Sequence, residues 1–193
     1  MSGLKTEKDK MLNSELYCSW DEELKRERLE ARELMYDYNN TRPSEQGKRA
    51  EIMKKLLKSD VKVDIEPPFY CDYGYNIKLG KNFFANYSCI ILDVNKVTIG
   101  ENVMFGPNVQ IYTPTHPLLA GERIKGPEAA KPITIGNNVW IGGGAIVCPG
   151  ATIGDNTTIG AGSVVTKDIP DNVFAAGNPC KVIKKLNGSS EVE

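Results

Sequence analysis

The strongest constraint in this chain is a period of six residues. Between Ile135 and Val165 every sixth residue is aliphatic: Ile135, Ile141, Val147, Ile153, Ile159 and Val165. Two residues before each stand Ile133, Val139, Ala145, Ala151, Thr157 and Ser163, shrinking toward small side chains. Gly136, Gly142, Gly154 and Gly160 follow directly in four of the six cases. A helix asks for apolar residues every 3.6 positions and a strand for every second one. A period of six fits a short strand and a turn, repeated so that one aliphatic side chain per segment points to a common axis. The turn Ile135-Gly136-Asn137-Asn138 returns as Ile153-Gly154-Asp155-Asn156, 18 residues later. Three six-residue sides therefore close one turn of a triangular coil, which predicts a parallel β-helix.

The period sets the reading of the remaining chain. Residues 1–62 have another texture, rich in Glu, Lys, Arg, Leu and Met, and predict a small helical segment. Ser19 can cap a first helix with Glu22 as its capping-box partner. Leu24, Leu29 (or Arg28), Leu34, Met35 and Tyr38 then make an irregular apolar stripe, ended by Asn39-Asn40 and Pro43. Ser44 can open a second helix with Ile52, Met53, Leu56 and Leu57 on one face, and the pair reads as a cap over an open coil end. Pro67-Pro68 marks the boundary, and residues 63–187 are expected to form the coil. Its first corners, Leu79-Gly80 and Ile99-Gly100, stand 20 residues apart, which predicts a two-residue bulge near Asp93. Pro114, Pro117, Gly121, Gly126, Pro127 and Pro132 break the repeat, so about residues 114–131 should leave the coil as a protruding loop. Residues 188–193 are expected to be a flexible tail.

Composition narrows the function classes. The formal net charge of −1 provides no basic field for nucleic acid. The polar start, Met1 to Lys10, lacks a signal-peptide core, and no apolar run approaches the roughly 20 residues of a membrane span. Five dispersed cysteines fit reduced thiols in a cytoplasm better than disulfides or a zinc site. A coil with flat sheet faces invites self-association, and a triangular prism suits a closed threefold assembly with ligand clefts between neighbours.

Only one histidine occurs, His116, in Thr113-Pro114-Thr115-His116-Pro117 at the root of the expected loop. A neutral imidazole is the best side chain for accepting a proton near neutral pH, and prolines on both sides stiffen its backbone.

Several runs resemble the maltose and galactoside O-acetyltransferases, closest to the maltose type. They are Cys71-Asp72-Tyr73-Gly74-Tyr75-Asn76, Asn82-Phe83-Phe84-Ala85-Asn86, Leu92-Asp93, Thr115-His116-Pro117, Pro132 to Gly143 and Gly162 to Asp168. The resemblance covers nearly the whole chain, including Leu16-Tyr17 and Ser19-Trp20-Asp21. It implies a mainly β fold, a left-handed parallel β-helix with a small N-terminal helical segment. It also implies a homotrimer with active sites between subunits, and acetyl-CoA as the donor. By resemblance, His116 is the general base on a sugar hydroxyl, such as the C6 hydroxyl of glucose or maltose. Asn86 either donates to the developing oxyanion or fixes the acceptor. Asp93 and Asp72 would face the acceptor, joined by Ser19 or Asp21. Trp140, Gly142, Gly143, Ala161, Thr166 and Lys167 would line the groove for CoA, with Lys181 and Lys184 near its phosphates. Gly143 stands where the galactoside type has serine, so no hydroxyl contact is available there. Related coils host carbonic anhydrases that need three histidines around a metal, two from one chain, which a single histidine cannot supply. Two rival readings stay open: acetyl transfer to another hydroxyl, as in a drug or serine, and a trimeric scaffold without catalysis.

Overall fold

The computed structural model describes residues 4–186; the expected tail lies outside the described residues. The chain opens with helix α1 (Glu7–Leu12), strand β1 (Tyr17–Cys18) and helices α2 (Glu22–Asn39) and α3 (Gln46–Leu57). The coils then follow, three sides each. The first is β2 (Asp64–Ile65), β3 (Tyr70–Cys71) and β4 (Ile77–Leu79); the second is β5 (Phe84–Ala85), β6 (Ile90–Leu92) and β7 (Val97–Ile99). The third begins with β8 (Met104–Phe105) and β9 (Gln110–Tyr112). It leaves the coil through β10 (Pro114–Thr115), helix α4 (Ala120–Arg123) and β11 (Pro127–Ala130), and resumes at β12 (Ile133–Ile135). Next come β13 (Trp140–Ile141), β14 (Ile146–Val147) and β15 (Thr152–Ile153), then β16 (Thr158–Ile159) and β17 (Val164–Val165). Strands β18 (Val173–Ala176) and β19 (Lys181–Lys185) close the chain, paired antiparallel.

Corresponding sides stack in parallel as three faces of a prism, the parallel β-helix that the six-residue period predicts. The first face is β2-β5-β8-β13-β16-β18-β19, the second β3-β6-β9-β14-β17, and the third β4-β7-β12-β15. The aliphatic residues that carry the period point inward and are buried: Ile135, Ile141, Val147, Ile153, Ile159 and Val165 are all within 1% of complete burial. Their stacking continues through Phe105, Ile91, Ile111 and Ile99 into the earlier coils.

The register locates the irregularities. Ile77 pairs with Val97, a step of 20; Val97 pairs with Ile133, a step of 36; and Thr134 pairs with Thr152, a step of 18. All the extra residues fall at one edge, between the second and third faces. There the turn after Ile91 carries Asp93, the turn one coil earlier carries Asp72, and the third coil carries the whole excursion. A hydrogen bond from the Lys131 N–H to the Thr113 carbonyl (2.9 Å) closes the neck of that excursion. The edge between the third and first faces is regular by contrast. Asn82, Asn102, Asn138, Asn156 and Asn172 all adopt the left-handed conformation there, which asparagine tolerates. Each side-chain amide donates to the next asparagine along the ladder.

The helical segment differs from expectation at its ends. Asp21, not Ser19, caps α2, because its carboxylate accepts from the Glu23 and Leu24 N–H groups at the positive helix end. Glu45, without a side-chain cap bond, precedes α3, so Ser44 is not its start. In the α2 stripe Leu24, Ala31, Met35 and Tyr38 are buried, whereas Leu29 is exposed and Arg28 half-buried. Helix α1 was not anticipated; a Thr6–Asp9 capping box forms it.

Candidate active site

The expected site residues divide between two edges of the prism. Asn86, Gly142, Gly143 and Ala161 lie on the first edge, between the first and second faces. Backbone bonds stack this edge coil on coil: the Asn86 N–H donates to Phe105 O, Gly142 N–H to Ile159 O, and Gly162 N–H to Gly143 O. Trp140 stands just before this edge, outward on the first face and 53% exposed. Asp72, Asp93, Thr166 and Lys167 lie on the second edge, between the second and third faces, as does the root of the excursion that carries His116. Lys181 and Lys184, both exposed, sit on β19 at the end of the first face, opposite Ala176 and Phe174. The second face therefore separates the histidine edge from the Trp140 edge within one chain.

Local geometry redefines several of these residues. Asp93 is fully buried and does not face a substrate. Its Oδ1 accepts from the Asp72 and Tyr73 N–H groups (3.0 and 2.8 Å), its Oδ2 from Asn76 N–H (3.2 Å), and Asn76 Nδ2 binds its carbonyl (2.8 Å). A buried carboxylate must spend its oxygens on donors, and Asp93 spends them shaping the turn that carries Asp72. Burial pushes its carboxyl up to about 7, against the pull of those N–H donors. Gly142 is glycine because of the coil beside it: a Cβ there would stand 2.5 Å from the Ala161 backbone nitrogen. That is a constraint set by the stacking of the coils. Asn86 uses its Oδ1 to accept from the Tyr87 N–H (2.8 Å), which leaves its NH₂ as the group it can offer outward.

Asp72 is half-buried, and the second edge gathers around it residues that the sequence did not single out. Burial, and then the Glu128 carboxylate, raise Asp72 to about 6, opposed by Arg28 and Arg32. Arg28 donates to the Tyr73 hydroxyl (2.7 Å) and to the Ser19 carbonyl (2.5 Å). The Tyr17 hydroxyl donates to Glu128 (2.9 Å). Ser19 thus meets this group through its backbone, and Asp21 is committed to the helix cap. The available signal for Arg28 was a charged residue on the apolar stripe of α2; Glu128 gave none. His116 itself is exposed. Among the described residues no group of His, Cys, Asp and Glu could hold a metal, and no helix is long and apolar enough to cross a membrane.

Comparison with known proteins fits this arrangement. Residues 10–60 match the maltose acetyltransferase hexapeptide capping motif, and residues 132–167 match the bacterial transferase hexapeptide of six repeats. A maltose O-acetyltransferase structure from Clostridium difficile 630 is 55% identical, covers 95% of this chain and 98% of its own, and superposes with a TM-score of 0.93. Galactoside O-acetyltransferase of Escherichia coli K12 is 46% identical over 89% of this chain and 85% of its own length. A galactoside acetyltransferase solved in complex with coenzyme A is 44% identical, with 95% and 92% coverage and a TM-score of 0.88. The chain therefore belongs to the maltose and galactoside O-acetyltransferase family of hexapeptide-repeat proteins, acyltransferases with acetyl-CoA as donor.

Proposed function

We propose that this acyltransferase acetylates a sugar hydroxyl, the primary C6 hydroxyl of a glucose- or maltose-like acceptor, in a homotrimer whose sites lie between subunits. The observation that carries the reading is the division of the site between two edges. A threefold ring of prisms brings the histidine edge of one subunit beside the Trp140 edge of the next. In such a ring the edge shared by the two contacting faces lies on the axis. A cleft between the first edge of one subunit and the second edge of the next therefore forms by contact through the first and third faces, with the asparagine ladder of the third edge at the axis.

In such a cleft His116 accepts the acceptor's hydroxyl proton while that oxygen attacks the thioester carbonyl. The C–O bond forms, the C–S bond breaks, and the imidazolium returns the proton to the departing CoA thiolate. The Asn86 NH₂ donates to the oxyanion or to the acceptor. Asp72 accepts from sugar hydroxyls. Trp140, Gly142, Gly143 and Ala161 from one subunit, with Thr166 and Lys167 from its neighbour, hold pantetheine, and Lys181 and Lys184 meet the CoA phosphates. The catalytic domain is the coil, residues 63–187, and residues 1–62 cap it.

Thiol release from acetyl-CoA across a panel of sugars, aminoglycoside-type alcohols and serine tests this directly. Glucose or maltose should be the best acceptors. His116→Ala should lose at least about 10²-fold in kcat with little change in CoA affinity. Undiminished turnover in that variant would remove the mechanism, and silence on every acceptor would remove the enzyme reading.

A further inference from the structure

The excursion that carries His116 has little apolar anchorage of its own. Leu118, Leu119 and Ile124 are exposed, and α4 spans four residues without a side-chain cap. Its legs β10 and β11 pair over two positions, Pro114↔Ala130 and Thr115↔Ala129. A two-stranded ribbon of that length is marginal in water. A third strand comes from far away in sequence: β1 pairs with the outer edge of β11, Tyr17↔Glu128 and Cys18↔Pro127. Proline has no N–H to give this ladder, so side chains must set the register. Tyr17 is 3% exposed, and its hydroxyl donates to Glu128 across the pair. Trp20 lies against Gly126, where an added Cβ would fall 2.0 Å from the ring. Buried Asn95 ties the same parts together, its Nδ2 donating to Met11 O (3.0 Å) and lying 3.4 Å from Ala130 O.

We infer that Tyr17 and Glu128 are positioning residues: their hydrogen bond latches the N-terminal segment to the return strand of the excursion and thereby fixes where His116 stands. This gives the capping segment a role in the reaction besides covering the coil end. The effect on catalysis rests on His116 being the base, but the latch itself does not. Strand β10, one pair from the latch, runs directly into His116. A displacement of about 1 Å in a catalytic group can cost on the order of 10²-fold. Burial and the neighbouring Glu128 carboxylate hold the Tyr17 phenol protonated, so it stays a donor throughout the working pH range.

Two readouts on the intact protein test the latch. Amide hydrogen exchange at Thr115, His116, Ala129 and Ala130 should accelerate at least about tenfold in Tyr17→Phe, while exchange in the coil strands stays unchanged. Equal exchange in the two proteins overturns the latch, whatever the enzyme acetylates. In acetyl transfer, Tyr17→Phe and Glu128→Ala should each lower kcat about tenfold, with both KM values within about twofold. The double variant should be no slower than either single one, as expected of partners in one bond. Glu128→Gln, whose amide oxygen still accepts from the phenol, should restore kcat to within about threefold of wild type. Multiplicative losses, or a raised acceptor KM with kcat intact, would refute a positioning role; the second result would make Glu128 an acceptor ligand. A wild-type protein silent on every acceptor refutes the sugar acetylation reading, and the exchange measurement still decides the latch.

Discussion

Mixing two dead variants gives the most direct test of a site shared between subunits. His116→Ala damages only the second edge of each prism, and Asn86→Ala only the first. Each variant alone should retain about 1% of wild-type turnover or less, by the usual worth of a general base or an oxyanion donor. In a closed ring every cleft takes its first edge from one subunit and its second from the neighbour. A cleft regains both groups when its second edge comes from an Asn86→Ala chain and its first from a His116→Ala chain. With equal, random mixing each condition holds half the time, so about a quarter of the clefts are whole. Co-refolded mixtures should therefore recover about 25% of wild-type activity, roughly 25-fold above either parent. The assay is thiol release at saturating acetyl-CoA with the best acceptor of the panel. Separately refolded variants combined afterwards supply the control for subunit exchange. If both groups belonged to the same chain, every cleft would carry a lesion and mixing would recover nothing. Recovery below about 2% in a mixture verified as mixed by mass would refute the shared site.

The faces and the buried carboxylate yield two more expectations. Thr134→Glu, on the third face, should convert the proposed trimer to monomers in sedimentation, whereas Ile146→Glu on the second face should leave assembly unchanged; the opposite pattern would reverse the assignment of faces. Asp93, with its carboxyl raised from 3.8 to about 7, stabilises the fold most when protonated. That contribution is complete below about pH 4 and is lost as pH rises through about 7. The melting temperature of wild type should therefore fall relative to Asp93→Asn between pH 4 and 8, and a constant difference would show that the carboxylate is charged throughout.

The sequence by itself determined the coil, because the signal is local and repeated. A side chain every six residues must point inward for such a chain to bury anything, and six aliphatic positions from Ile135 to Val165 leave no other period. It also determined that the repeat breaks between Thr113 and Lys131, since prolines and glycines cannot be hidden among strands. It singled out His116 and Asn86 as candidates too, one as the sole histidine and the other through its surrounding motif. What the sequence did not reveal depends on which residues meet across long separations. Asp93 reads as a carboxylate available to a substrate until the fold surrounds it with the N–H groups of Asp72, Tyr73 and Asn76. That Gly142 must be glycine for the coils to stack shows only when the next coil stands 2.5 Å from where its Cβ would be. Tyr17 and Glu128, 111 residues apart, carry no pattern that joins them. Periodicity is written in every segment and survives reading one residue at a time. A turn's donors, a coil's neighbour and a strand borrowed from the other end of the chain exist only after tertiary folding, and there the division of the site between two edges was decided.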